Sequence, residues 1–294
     1  MTTALLGAGA VGSYYAARLA LSGERVILIA RPAAALSIAE KGLQLEENGE
    51  TRTARVEATD DPARVAQADL VLVCVKSPDT AQAARDLAPH LAPGTTLVSL
   101  QNGLGNAETL TAITGHPALP GLVYTALSLT APGHVLHKGG GRVVIGAGPG
   151  AETAAARLTA AGIPAEVSSQ ATAALWTKLA VNCALNALSA LSGQDYGTIA
   201  AHPDTEPTLA AILDECRMVA AAEGVTLPAD LLAQVQAVMA SMPAQRSSTA
   251  QDLAAGRKTE IAHLNGEIAH RAAQHGLQAP LNRALALMVA LRER

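Results

Sequence analysis

In its first half the chain alternates short apolar runs with longer stretches of helical spacing. Residues 4–6, 25–30, 70–75 and 96–100 are nearly unbroken apolar runs of strand length, the pattern of parallel strands buried on both faces. Residues 12–22 and 79–91, lying between such runs, place their apolar side chains at the three-to-four spacing of a helix. Repeated strand–helix–strand units predict an α/β fold built on a doubly wound, mainly parallel sheet. A second group of candidate strands, 121–129, 134–138 and 142–147, is interrupted by Pro132-Gly133 and by the glycines of 139–141. These are expected to complete the sheet as antiparallel pairs, and a last short strand is expected at 165–167.

From Ala171 onward the period is helical nearly throughout, with breaks at Ser192-Gly193, His202-Pro203, 224–228, 244–247 and 276–280. The expected organisation is an α/β domain over 1–169 followed by an all-helical domain over 170–294. At 49% hydrophobic and 16% charged residues the chain is a folded, globular one. Aromatics are 2% and Phe is absent, so Ala, Leu and Val must fill the cores. A formal net charge of −4 provides no electrostatic footprint for nucleic acid or an anionic membrane surface. Cys74, Cys183 and Cys216 are widely spaced, which points to reduced thiols rather than a disulfide framework or a metal site. The N-terminus has neither the basic leader nor the cleavage site of a secretory signal, and no apolar run reaches the roughly 18 residues of a membrane helix. A cytoplasmic protein is expected.

The first chemistry-bearing motif is Gly7-Ala8-Gly9-Ala10-Val11-Gly12, directly after a predicted strand and before a predicted helix. In that context the first glycine permits a tight turn, the second lets the backbone approach a pyrophosphate, and the third lets helix pack on strand. The helix start offers its free N–H groups to the phosphates. The N-terminal domain is therefore read as a dinucleotide-binding Rossmann domain. Arg31 ends the second strand, where an NAD-specific site usually carries Asp or Glu for the ribose 2′-hydroxyl. A guanidinium would instead bind a 2′-phosphate, so NADPH is the expected cofactor; the alternative is a solvated surface arginine. Lys76 and Asn102 follow the next two strands at the edge where such sheets bind ligands. Lys76 could reach cofactor phosphates or substrate, or simply end its strand in solvent. Asn102 could hold a carboxamide or a substrate oxygen, or with Gly103 form a plain turn.

In the second domain Lys178, Asn182 and Asn186 fall at i, i+4 and i+8, on one face of a helix that is otherwise apolar. A lysine and two amides buried without partners cost several kcal/mol, so they either satisfy one another or line a polar site. Glu260 is read as opening a helix that continues through Asn265-Gly266, a position where a carboxylate also serves the helix dipole.

These residues carry a resemblance that runs over essentially the whole chain. GAGAVG at 7–12, VCVKS at 73–77, QNGLG at 101–105, LWTKLAVNCALNALSAL at 175–191, SSTAQDLAAGRKTEIAHLNG at 247–266 and HGLQAPLNRAL at 275–285 resemble, in order, the blocks of the ketopantoate reductase (2-dehydropantoate 2-reductase) family. The resemblance implies NADPH-dependent reduction of ketopantoate to pantoate, a step toward pantothenate and coenzyme A. It implies Lys178 as general acid, with Glu260 positioning the substrate or the lysine. Asn182 and Asn186 would line the substrate site, and Ser248 would hydrogen-bond the substrate carboxylate. Asn102 and Lys76 would lie near the nicotinamide and substrate, with Arg31 on the 2′-phosphate.

Tyr124-Thr125-Ala126-Leu127-Ser128 departs from the family's Thr-His-Gly-type segment after the Asn-Gly loop, which leaves ketopantoate itself open. The other readings are a reductase of a different small 2-oxo acid, a hydroxy acid dehydrogenase run in oxidation, and a non-catalytic NADPH sensor. The expected partner is the small-molecule substrate, with a homodimer through the helical domain as a candidate assembly.

Overall fold

The computed structural model describes residues 1–293 and divides into two compact units, Met1–Thr172 and a second beginning at Ala173. The division falls inside the first turn of a helix, three residues past the expected boundary at 169/170. A helix that crosses a boundary keeps its period and leaves no break in composition to read.

The first unit runs β1 (Thr2–Leu6), α1 (Ala10–Leu21), β2 (Arg25–Ile29), α2 (Pro32–Lys41), β3 (Leu43–Glu47), β4 (Glu50–Ala54), β5 (Glu57–Thr59) and β6 (Leu70–Val73). It continues with α3 (Thr80–Leu87), β7 (Thr96–Ser99), α4 (Asn106–Thr114), β8 (Ala118–Ala131), β9 (His134–Gly146), α5 (Ala151–Ala160) and β10 (Ala165–Ser168). β5, β2, β1, β6, β7 and the start of β8 pair in that order, all parallel. With the β3–β4 hairpin set aside, this is the 3-2-1-4-5-6 order of dinucleotide-binding sheets. Its central strands, β1, β2, β6 and β7, are buried on both sides. Leu5, Leu28, Leu72 and Val98 pack with α1 and α5, including Tyr14 and Tyr15, the largest fillers of a core without Phe. Ala4, Leu6, Ile27, Ile29, Val71 and Val73 alternate with them and pack with α3 and α4 on the opposite face.

Beyond its pairing with β7, β8 continues into an antiparallel hairpin with β9, as expected for this segment. β9 then pairs in parallel with β10 and β3, so this part of the sheet is mixed rather than antiparallel throughout. The glycines of 139–141 do not end a strand as read from the sequence. They lie inside β9 at a register shift, where Gly140 has φ +76° and a Cβ would stand 2.3 Å from the Tyr124 carbonyl oxygen. β3, β4 and β5 were not anticipated. The first two turn at Asn48-Gly49, both at positive φ, as a two-residue hairpin requires. The expected helix at 79–91 is also shorter, with single 3₁₀ turns at Ser77–Asp79 and Ala88–His90 on either side of α3.

The second unit takes up α6 (Ala171–Ser192) and continues with α7 (Tyr196–Ala200), α8 (Thr205–Ala222), α9 (Leu231–Ser241), α10 (Ser248–Ala254), α11 (Asn265–Gln274) and α12 (Pro280–Ala290). Its core is built on Leu179, Cys183, Ala187, Ile212, Cys216, Ile268 and Val289, all buried. A polar rivet crosses it: Asn265 Nδ2 donates to the Cys183 carbonyl (3.0 Å) and to Asn282 Oδ1 (2.9 Å). Asn282 in turn donates to Glu215, whose carboxylate caps the start of α12 through the N–H groups of Leu281 and Asn282. Among the described residues no helix is long and apolar enough to cross a membrane. No group of three His, Cys, Asp or Glu there could hold a metal ion.

Candidate active site

The candidate residues fall into two sets, one in each unit. In the first, Gly7 has φ +106°, and a Cβ there would lie 2.9 Å from the Val75 nitrogen. At Gly12 a Cβ would fall 1.9 Å from the Gly7 carbonyl oxygen, so any side chain would drive α1 off the turn. Gly9 differs from both: nothing stands within 4 Å of its would-be Cβ. It forms the N-cap of α1 with no side-chain cap, so the first N–H groups of Ala10 and Val11 are not tied up by a capping side chain. Glycines fill the crowded positions and leave an open backbone cradle at a helix N-terminus. That is the fit a pyrophosphate requires.

Arg31 stands at the end of β2 as the N-cap of α2. Its side chain is 89% exposed, 3.6 Å from Asp79 Oδ2. Lys76, exposed, follows the end of β6, and Asn102, half-buried, follows β7, both at the C-terminal edge of the parallel sheet. Their loops are held by side chains that motif reading passed over. Ser77, Thr80, Ser99, Gln101 and Asn106 are buried and hydrogen-bonded to one another and to the backbone. Ser77 and Gln101 sit inside the VCVKS and QNGLG blocks, which was the one signal available.

In the second unit Lys178, Asn182 and Asn186 lie on α6 as their spacing predicts; the first two are half-buried and Asn186 is buried. Burial pulls the Lys178 ammonium down to about 8, and the negative charge of Glu260 opposes that fall. Glu260 and Lys178 are thus close enough to interact, although Glu260 does not open an α-helix as expected. It precedes a 3₁₀ turn, Ile261–His263, and α11 starts only at Asn265. Ser248 is exposed at the first position of α10. The buried serine is its neighbour, Ser247, which caps the helix by accepting from Ala250 N–H (3.1 Å) and donates to the Asn186 carbonyl (3.1 Å). Adjacent serines at a helix start cannot be told apart by type alone. Trp176, buried on α6, lies under the Arg271 guanidinium at 5.7 Å.

The strand order and the glycine turn place the chain among proteins of dinucleotide-binding fold. Residues 3–150 match the family described as Ketopantoate reductase PanE/ApbA, and residues 170–293 match its C-terminal counterpart. The chain belongs to the ketopantoate reductase PanE/ApbA family. It is 36% identical to a 2-dehydropantoate 2-reductase of Halobacterium salinarum, an alignment covering 100% of this chain and 99% of that one. The corresponding enzyme of Archaeoglobus fulgidus is 33% identical, over 97% and 95% of the two chains. A PanE/ApbA family ketopantoate reductase from Ralstonia eutropha has a crystal structure with TM-score 0.96 at 44% identity, covering 100% and 98%. A D-mandelate dehydrogenase, solved with NADH and anilino(oxo)acetate, reaches TM-score 0.93 at 25% identity over the same shares.

Proposed function

We propose that the chain reduces a small 2-oxo acid, ketopantoate before others, using NADPH and with Lys178 as proton donor. The observation that carries this is the lysine itself: an ammonium on an apolar helix face, drawn by burial to about 8. An ordinary lysine, near 10.4, is a poor acid at neutral pH, whereas one near 8 is still protonated there and gives its proton up far more readily. When bound, the nicotinamide supplies the hydride. The chain's part is to meet the negative charge that develops on the ketone oxygen, and Lys178 Nζ does so by donating its proton. Glu260 keeps the lysine charged between turnovers. The amides of Asn182 and Asn186 and the exposed hydroxyl of Ser248 would hold the hydroxyl and carboxylate groups of the substrate.

Arg31 favours NADPH over NADH, because its exposed guanidinium can bind a 2′-phosphate where a carboxylate would repel one. The turn at Gly7, Ala8, Gly9, Ala10, Val11 and Gly12 would hold the pyrophosphate, with Lys76 and Asn102 beside the nicotinamide. The product would be pantoate, the precursor of pantothenate and coenzyme A.

A second reading is a different 2-oxo acid. Tyr124, 37% exposed on β8, stands 4.9 Å from the Arg142 guanidinium, in the segment that departs from the family pattern. The D-mandelate dehydrogenase with its aromatic ligand is also close in fold. Turnover of ketopantoate, pyruvate and phenylglyoxylate with NADPH and NADH separates these readings. Ketopantoate with NADPH should give the highest kcat/KM. A higher value for either other acid defeats the substrate assignment, and NADPH binding without turnover of any acid defeats the enzyme assignment.

A further inference from the structure

The loops after β6 and β7 are joined by polar side chains that the reaction above does not use. Ser77, Thr80, Ser99, Gln101 and Asn106 are exposed by 4%, 3%, 3%, 6% and 6%. Gln101 Nε2 donates to the Val75 carbonyl (3.1 Å) and to Thr80 Oγ1 (2.7 Å), while its Oε1 accepts from Ser99 Oγ (3.1 Å). Thr80 Oγ1 also lies 2.8 Å from Asn106 Oδ1. Asn106 Nδ2 then donates to the Asn102 carbonyl at 2.8 Å, and that same oxygen accepts from Ser77 Oγ at 2.6 Å. The chain of bonds begins at the carbonyl just before Lys76 and ends on the backbone of Asn102.

Apolar side chains could pack this layer without desolvating so many polar groups. A network satisfied member by member does something they cannot: it holds two loops in a single arrangement. We propose that Asn106 is a positioning residue. Together with Ser77 it clamps the Asn102 carbonyl, and so aims the Asn102 amide, relative to Lys76, at the nicotinamide end of the cofactor and the substrate. This rests on the reading of Asn102 given under the proposed function.

A double-mutant cycle on the full chain tests it, with Asn106→Leu, Asn102→Ala and their combination. Each variant is read by kcat and KM for the 2-oxo acid, by NADPH titration through fluorescence without substrate, and by melting temperature. Asn106→Leu should lose about tenfold in kcat/KM, the scale of a displacement well under 1 Å. In the Asn102→Ala background the same substitution should cost less than about twofold, because the group it aims is already gone. A melting temperature that falls while kcat per NADPH-binding site stays unchanged would overturn the proposal, as would losses that simply add. If Asn102→Ala is silent in both turnover and titration, the role of Asn102 fails and the proposal with it. A damaging Asn102→Ala beside a silent Asn106→Leu removes the positioning role alone. Should Asn106→Leu not fold, Ser77→Ala removes the other clamp at lower cost. A loss that vanishes in the Asn102→Ala background supports the inference, and a loss that persists there overturns it.

Discussion

The chain buries polar groups in both units but on different terms. In the α/β unit the cluster around Gln101 and Asn106 is neutral, and each member reaches the next or the backbone within hydrogen-bond distance. In the helical unit Lys178 carries a charge whose burial Glu260 only partly offsets, so its pKa falls to about 8. The first arrangement has one protonation state and one geometry, which suits it to holding loops still. The second stands about one pH unit from the balance of two protonation states at neutral pH, which suits it to moving a proton. A satisfied network gives precision, and an incompletely compensated charge gives reactivity.

Removing the charge should separate the two roles most sharply. Lys178→Met keeps most of the stem's packing while deleting the ammonium, so kcat should fall by about 10²–10⁴-fold with NADPH affinity nearly unchanged. The melting temperature should hold or rise, because the desolvation penalty goes with the charge. A kcat within about threefold of wild type, far short of a general acid's contribution, would return Lys178 to a structural role.

A loss of stability is expected from the neutral cluster. Gln101→Leu leaves the Val75 carbonyl, Thr80 and Ser99 short of a partner. It should destabilise the fold by roughly 2–4 kcal/mol at the usual cost of orphaned buried groups. Denaturant unfolding with an unchanged midpoint would show that these bonds hold nothing.

The pH dependence carries the comparison into wild type. Lys178 has a folded pKa below its unfolded one, so between about pH 8 and 10.5 the unfolded chain binds the extra proton and stability rises with pH. The gain is on the order of 3 kcal/mol. It should appear as a difference between wild type and Lys178→Met in unfolding free energy across that window. Over the same range the rate of 2-oxo acid reduction should fall as the acid form is lost. A wild-type-minus-variant difference that is flat with pH would contradict the depressed lysine.

Two smaller effects complete the series. Arg31→Ala should weaken NADPH relative to NADH by roughly ten- to a hundredfold, the worth of a charge-assisted phosphate contact. Equal wild-type efficiency with the two cofactors would set aside the role of Arg31. Ser247→Ala should cost about 1 kcal/mol of stability through the lost cap of α10 with KM intact. Ser248→Ala should raise KM with stability intact. If the two serines exchange these behaviours, the substrate contact belongs to the buried one.

What the sequence determined by itself was whatever is written in short stretches of chain. The parallel strands, the glycine turn, the basic residue after β2 and the single polar face of α6 each follow from a local period or a local steric demand. The 1.9 Å that would separate a Gly12 Cβ from the Gly7 carbonyl is fixed by a turn of six residues, so a motif can carry it. Only the tertiary structure decided the rest. The bonds of Ser77 with Asn102 and Asn106, and of Gln101 with Thr80, join positions 21–29 residues apart, and such pairings impose no period on the chain between them. β4, mostly exposed, lacks the apolar pattern that marks a buried strand, and the glycines of 139–141 became part of β9 because β8 supplied a partner. Which of Ser247 and Ser248 caps α10, and how far Lys178 falls below an ordinary lysine, depend on what surrounds each side chain. Burial and charge are sums over neighbours, and most of those neighbours are distant in sequence.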